Sequence, residues 1–306
     1  MMKNARYGGV NAAVLTAMHA DLSIDIERTA AHGRWLLANG CNGLGVLGTT
    51  SEANSLGISE RVALMEGLVE RGLSPSLLLP GVGTPALTDT VLLARRAAEL
   101  GCPGVLVLPP FFYKNPSEDG LFAYFSELVH RLDTSTMIYL YHFPQQSAVP
   151  FTFDLVARLL RSFPGKIAGI KDSSGDLANT LGYIKNFAAD GFEVYSGDDS
   201  ALLDVLKAGA AGCITAAANV GSRVSAMVVA DWDNDAAMEP QAKLKSLRKL
   251  FSSVPLIPSL KAVLGRRLDD PAWLHVRPPH LGLSDETTQR LFAGLEACQL
   301  PLEKVA

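Results

Sequence analysis

Short runs of Val, Ile and Leu recur roughly every 25 to 35 residues along the chain, and each precedes a longer stretch with apolar positions at helical spacing. Eight such runs are present, at 9–18, 43–49, 76–82, 104–110, 136–143, 167–173, 193–199 and 212–219. Helical stretches follow at 25–39, 59–71, 85–100, 117–132, 152–162, 176–189, 200–209 and 222–232. Turn chemistry supports these boundaries. Asn39-Gly40, Leu100-Gly101 and Ala208-Gly209 stand where a helix closes on a left-handed residue, and Ser117, Thr152 and Asp176 stand where one is capped. Nearly continuous apolar runs such as 105–108 suit strands buried on both faces, which belong to a parallel sheet covered by helices. Eight βα units predict an α/β protein of the (β/α)8 TIM-barrel class, with a doubly wound open sheet as the alternative. After Trp232 the rhythm changes to Pro-punctuated helical segments at 239–253, 258–267 and 284–298. The expected organisation is a barrel over 1–232 and a C-terminal helical extension over 233–306 packed on it.

Composition narrows the partners. The 306 residues carry 27 Lys plus Arg against 31 Asp plus Glu, a formal charge of −4, with no basic cluster to track phosphates. A small-molecule substrate is expected, and no nucleic acid. No apolar run approaches the ~18–20 residues that span a bilayer, and the start lacks the apolar core of a signal peptide, so a cytoplasmic chain without membrane contact is expected. Cys41, Cys102, Cys213 and Cys298 are scattered, which reads as reduced thiols without disulfides. His19, His32, His130, His142, His275 and His280 form no ligand spacing, so no metal site is expected.

Gly43-Leu44-Gly45-Val46-Leu47-Gly48 matches G-x-G-x-x-G, but its apolar residues are the strand itself rather than following one, so crowded strand glycines are the better reading. Next comes Gly48-Thr49-Thr50-Ser51-Glu52, at the end of the second strand where barrels place their chemistry. Its backbone N–H groups and hydroxyls suit an anion-binding nest, or else a turn capping the next helix. Lys171 ends the sixth strand. Pointing into the mouth, it would be desolvated and freed as a nucleophile for carbonyls; the alternatives are a salt bridge to Asp172 and plain exposure. Tyr141 ends the neighbouring fifth strand, where its phenol would relay protons if hydrogen-bonded, for example to Thr49 or Thr50; otherwise it is a satisfied core aromatic. His142 is expected as a neutral residue lining the mouth.

Gly48-Thr49-Thr50-Ser51-Glu52, the Tyr-x-x-Pro at 141–144, Ile170-Lys171-Asp172 and Ser196-Gly197-Asp198-Asp199 occur in this order on eight βα units. Together they resemble the dihydrodipicolinate synthase/N-acetylneuraminate lyase family of class I pyruvate aldolases, over nearly the whole chain. The resemblance implies that Lys171 condenses with pyruvate or another 2-oxo acid, that Thr49 and Thr50 hold its carboxylate beside Gly48, and that Tyr141 shuttles protons. It implies a second relay tyrosine across a subunit interface, best matched by Tyr113. Gly197 and Ile214 would line the pyruvate pocket, no cofactor would be needed, and the chain would form a homotetramer of two dimers. Two positions depart from the pattern: Ser51 replaces the glycine after Thr-Thr, and Gln146 stands where dihydrodipicolinate synthases carry an arginine for their second substrate. Substrates of the 2-keto-3-deoxy sugar acid or 4-hydroxy-2-oxoglutarate type are therefore expected. Lysine biosynthesis, a 2-keto-3-deoxy acid dehydratase and a non-catalytic ligand-binding barrel are the alternatives.

Overall fold

The computed structural model describes residues 5–132 and 135–299; residues 1–4, 133–134 and 300–306, which fall within the expected barrel and extension, lie outside the described residues. Seven parallel strands form one sheet: β1 (Gly9–Ala13), β2 (Gly43–Gly45), β3 (Gly104–Val107), β4 (Met137–His142), β5 (Ile167–Asp172), β6 (Glu193–Ser196) and β7 (Gly212–Thr215), in the order β2-β1-β7-β6-β5-β4-β3. Helices alternate with them: α1 (Ile26–Ala38), α2 (Ile58–Glu70), α3 (Leu87–Glu99), α4 (Glu118–Arg131), the short α5 (Pro144–Ser147), α6 (Phe153–Ser162), α7 (Leu177–Phe187), α8 (Leu202–Ala208) and α9 (Ala218–Ala230).

The run at 76–82, expected as a full strand, is not one, yet it bridges the gap between β2 and β3. Leu79 and Gly81 donate to Leu44 and Val46 on one side, at 2.9 and 2.8 Å, while Val82 donates to Leu106 and Leu106 to Pro80 on the other, at 2.9 and 2.8 Å. Pro75–Leu77 is a 3-10 turn, and Pro80 lacks the N–H that a regular ladder would aim at β3, so only single bridges survive. The result is a nearly closed barrel. Strands also end earlier than the apolar runs do: β2 stops at Gly45, because Leu47 takes a left-handed φ of 57° and swings the chain into the Thr49–Glu52 loop.

Helix boundaries follow the sequence signals. Ser117, Thr152 and Asp176 cap α4, α6 and α7 by accepting from the Gly120, Leu155 and Ala178 N–H groups. Gly209 closes α8 at φ 110°. Among the described residues, no helix is long and apolar enough to cross a membrane.

After α9 come α10 (Met238–Ser252), α11 (Leu256–Leu268) and α12 (Asp285–Ala297). Their buried faces, with Leu247, Phe251, Leu260, Val263, Trp273, Leu291 and Leu295, join Leu15, Ala17, Ala217 and Val220 in one apolar cluster. Those last four residues follow the C-terminal ends of β1 and β7, so the extension sits against the mouth of the barrel.

Candidate active site

A cavity of about 630 Å³ opens at that mouth. Thr49, Thr50, Tyr141, Lys171, Gly197, Ile214 and Gln146 all border it. Of the nine site residues expected from sequence, these seven are brought together and two are not. Gly48 lies behind the wall, beside a small void under Tyr141. Tyr113 is 77% exposed and stacks edge-on against Phe112, also exposed, away from the cavity of its own chain.

Strand register places the central pair. Tyr141 on β4 is directly paired with Lys171 on β5, which in turn pairs with Tyr195 on β6. Lys171 is 5% exposed, and its Nζ sits 4.3 Å from the centroid of the Tyr141 ring. That amine makes no ion pair and no hydrogen bond among the described residues. Asp172 is turned the other way and accepts from Ser174 N–H, Asn179 Nδ2 and Thr180 Oγ1, at 2.9, 2.9 and 2.7 Å. The salt-bridge alternative for Lys171 therefore does not occur. Among the described residues Tyr141 OH has one hydrogen-bond partner, Thr49 Oγ1 at 3.4 Å, and its ring stacks on Phe143.

The Thr49–Glu52 loop is built as a nest. Ser51 and Ala53 donate back to Gly48 O, and Ser51 Oγ donates to Val14 O, so the turn is held from below. The Thr49 and Thr50 N–H groups have no acceptor among the described residues. Neither threonine caps a helix: the 3-10 turn after the loop starts at Glu52 without a side-chain cap, and α2 is capped by Gly57 and Glu60. Two adjacent free donors beside a lysine suit a carboxylate. Gly197 is required by space, since a Cβ there would lie 2.0 Å from Ser173 Oγ.

His142, expected at the mouth, is instead on the opposite face of β4. Its Nδ1 accepts from Phe151 N–H at 3.0 Å, and it packs against Phe151 and Tyr183. Alternation along a strand sends neighbours to opposite faces, so Tyr141 inward forces His142 outward. Burial holds its imidazole below the usual histidine range, with the Asp172 charge pulling the other way.

Several residues at this site carry no motif of their own. Arg248 on α10, the segment 255–258 leading into α11, and Pro279-His280 complete the cavity wall. Behind the nest, the fully buried Lys261 of α11 pairs with Glu52 and donates to His275 O at 2.8 Å, while Arg277 N–H donates to the other Glu52 oxygen at 2.9 Å. Burial pushes the Lys261 amine below the usual lysine range, and Glu52 opposes it. Asp199, which closes the Ser196–Asp199 motif without an assigned role there, is wholly buried next to Asp198 with neither carboxylate oxygen in a well-formed hydrogen bond. Burial, and then the Asp198 charge, push it up to about 6. Among the described residues, no group of three His, Cys, Asp or Glu is placed to hold a metal ion.

Residues 6–298 match the family described as the dihydrodipicolinate synthetase family. The chain is 34% identical over 290 residues to an uncharacterized DapA-like lyase of Chloroflexus aurantiacus, covering 94% of this chain and 96% of that one. It is 28% identical over 267 residues to the 4-hydroxy-tetrahydrodipicolinate synthase of Bacillus subtilis, covering 86% and 90%. Among solved structures, dihydrodipicolinate synthase from Agrobacterium tumefaciens superposes with a TM-score of 0.88 at 29% identity, over 95% of this chain and 99% of that one. YagE of E. coli, a prophage protein of the same family in complex with pyruvate, gives 0.87 at 28%, over 97% and 100%.

Proposed function

The chain belongs to the dihydrodipicolinate synthetase family, whose members are Schiff-base class I lyases, and from that premise we propose that it is a pyruvate aldolase. In this reading it makes or breaks the carbon–carbon bond between pyruvate and an aldehyde, in a substrate of the 2-keto-3-deoxy sugar acid or 4-hydroxy-2-oxoglutarate type. The observation that carries the proposal is the buried, unpartnered Lys171 amine on the face of Tyr141, beside the two free N–H groups of Thr49 and Thr50.

The substrate carboxylate sits on those N–H groups and the Thr50 hydroxyl, with Gly197 and Ile214 closing the pocket around its keto carbon. Lys171 Nζ adds to that carbon. Tyr141 passes its proton to the departing hydroxyl, water leaves, and a protonated imine remains. The Tyr141 phenolate then takes the proton of the C4 hydroxyl as the C3–C4 bond breaks, and the electron pair moves into the imine. The aldehyde departs and an enamine is left. Protonation at C3 and addition of water release pyruvate and the free amine. Thr49 supports the phenolate from 3.4 Å. Tyr113 serves the relay of a neighbouring copy in a tetramer of two dimers, which agrees with its exposure on its own chain. Gln146 offers an amide where a synthase would need a guanidinium for its second substrate, so lysine biosynthesis is disfavoured.

Borohydride added with pyruvate is expected to fix a pyruvyl group on Lys171, located by peptide mass. An unmodified protein after that treatment sinks the reading. Release of pyruvate from 2-keto-3-deoxy acids separates an aldolase from a dehydratase, which expels water and keeps the carbon chain whole.

A further inference from the structure

Cations at the cavity mouth are few. Beyond Lys171, one arginine borders the cavity among the described residues, Arg248, presented by α10 of the C-terminal extension. Asp198 steers it: one Asp198 oxygen accepts the Ser200 N–H and is fixed at the head of the 199–201 turn, while the other lies 3.5 Å from Arg248 Nε. The guanidinium makes no other ion pair or hydrogen bond among the described residues, so both terminal nitrogens lack an acceptor. Its side chain is 39% exposed, held at the rim between solvent and cavity.

Size supplies the second half of the inference. At about 630 Å³ the cavity is in the ordinary range for a whole small-molecule ligand. A three-carbon acid anchored at Lys171, Thr49 and Thr50 leaves much of it free. The free part is walled by α5 and by the extension, where the neutral Gln146 of α5 and Pro255–Pro258 of the extension give no charge and Arg248 gives a planar fork of donors. A guanidinium with one long carboxylate contact forms shorter, paired bonds with an incoming oxyanion.

We propose that Arg248 is a specificity-determining residue that binds a second anionic group, carboxylate or phosphate, on the part of the substrate released as the aldehyde. The enzyme then prefers 2-oxo acids charged at both ends over 2-keto-3-deoxy acids that end in a neutral hydroxyl. This rests on the Lys171 reading above, because Lys171 fixes which end of the substrate is which.

The test compares pyruvate release from 4-hydroxy-2-oxoglutarate, 2-keto-3-deoxy-6-phosphogluconate and 2-keto-3-deoxygluconate by the wild type, Arg248→Ala and Arg248→Lys. The wild type is expected to favour one of the two doubly charged substrates in kcat/KM; which one identifies the anion as carboxylate or phosphate. In Arg248→Ala that preference is expected to fall by about 10- to 100-fold, the scale of a charge-assisted contact, mostly through KM. Arg248→Lys restores part of it, since charge returns without the fork. A wild type that prefers 2-keto-3-deoxygluconate, or a preference unchanged in Arg248→Ala, overturns the proposal. Borohydride trapping of pyruvate on the wild type runs alongside. Trapping with no charge preference defeats the Arg248 assignment alone, whereas no trapping defeats the Lys171 reading and this one with it.

Discussion

One strand, β4, sends two tyrosines into the barrel two residues apart, and their surroundings could hardly differ more. Tyr139, at the lower end, donates to Glu193 at 3.0 Å; Tyr195 donates to the same carboxylate at 2.5 Å, and the Arg6 N–H reaches its other oxygen at 3.0 Å. Tyr7 completes the plug by donating to Leu78 O at 2.9 Å. Burial first, and then the Glu193 charge for Tyr139 and Tyr195, push these phenols far above the usual tyrosine range. They are locked as donors. Among the described residues Tyr141, at the upper end, has a single hydrogen-bond partner, at 3.4 Å, and beside it a lysine whose amine makes no hydrogen bond or ion pair. A polar cluster inside a barrel whose donors are all used holds the fold together; one with donors left over is organised to bind.

The sharpest way to break that comparison is to remove the same hydroxyl at each end. Tyr141→Phe is expected to cut kcat by about 10⁴-fold, the upper end of general acid–base catalysis, with thermal stability nearly unchanged because almost no hydrogen bond is lost. Tyr139→Phe is expected to lower stability by about 1–3 kcal/mol, since Glu193 loses a donor in a buried site, and to leave pyruvate trapping at Lys171 intact. Steady-state kinetics and thermal melts on both variants decide it; equal effects on stability would mean the two clusters do the same job.

The two ends were not equally legible from the sequence. Lys171 and Tyr141 could be found because each closes an apolar run, and neighbouring strands of a parallel barrel end side by side. The third apolar run misled on regularity, since Pro80 removes a ladder donor without removing the segment from the ring. His142 faces away from the mouth, as alternation with Tyr141 along the strand requires. The plug carries no signal of its own, because Glu193 and Tyr195 read as part of an apolar strand. Arg248 and His280 carry no periodic signal: they reach the site from a segment whose helices pack against the mouth, and no spacing announces which of their polar residues turn inward. Lys261 and Glu52 are 209 positions apart, so only the folded chain reveals that the extension holds the nest.

That last contact gives the second test, because it is a fully used cluster placed at the mouth rather than the base. Lys261→Met keeps the volume but leaves Glu52 charged and buried, which is expected to cost about 3–4 kcal/mol in chemical denaturation. Combining it with Glu52→Gln removes the stranded charge and is expected to recover most of that loss. Pyruvate KM should stay raised in the double variant, since the Thr49–Thr50 loop has lost its anchor. A double variant with normal KM would show the pair to be a support for the fold alone.

The smallest effect concerns Asp199, a buried carboxylate near the mouth without a well-formed hydrogen bond among the described residues. Asp198, Arg248 and the Thr215 hydroxyl face it, and burial dominates them, raising it from the ordinary aspartate range to about 6. A carboxyl with a folded-state pKa above its unfolded value is held protonated by folding. Below about pH 4 it is neutral in both states and contributes nothing to the pH dependence. Between about pH 4 and 6 the unfolded chain releases its proton first, so stability falls as pH rises, and above about 6 the penalty is constant, at most about 3 kcal/mol. Asp199→Asn is therefore expected to stabilise the protein by about 1–2 kcal/mol at pH 7.5 and by almost nothing at pH 4, read as the difference in urea midpoints at the two values. Destabilisation at pH 7.5 instead would mean that the Asp199 charge is bound by a partner, and that this part of the mouth belongs with the satisfied clusters rather than with Lys171.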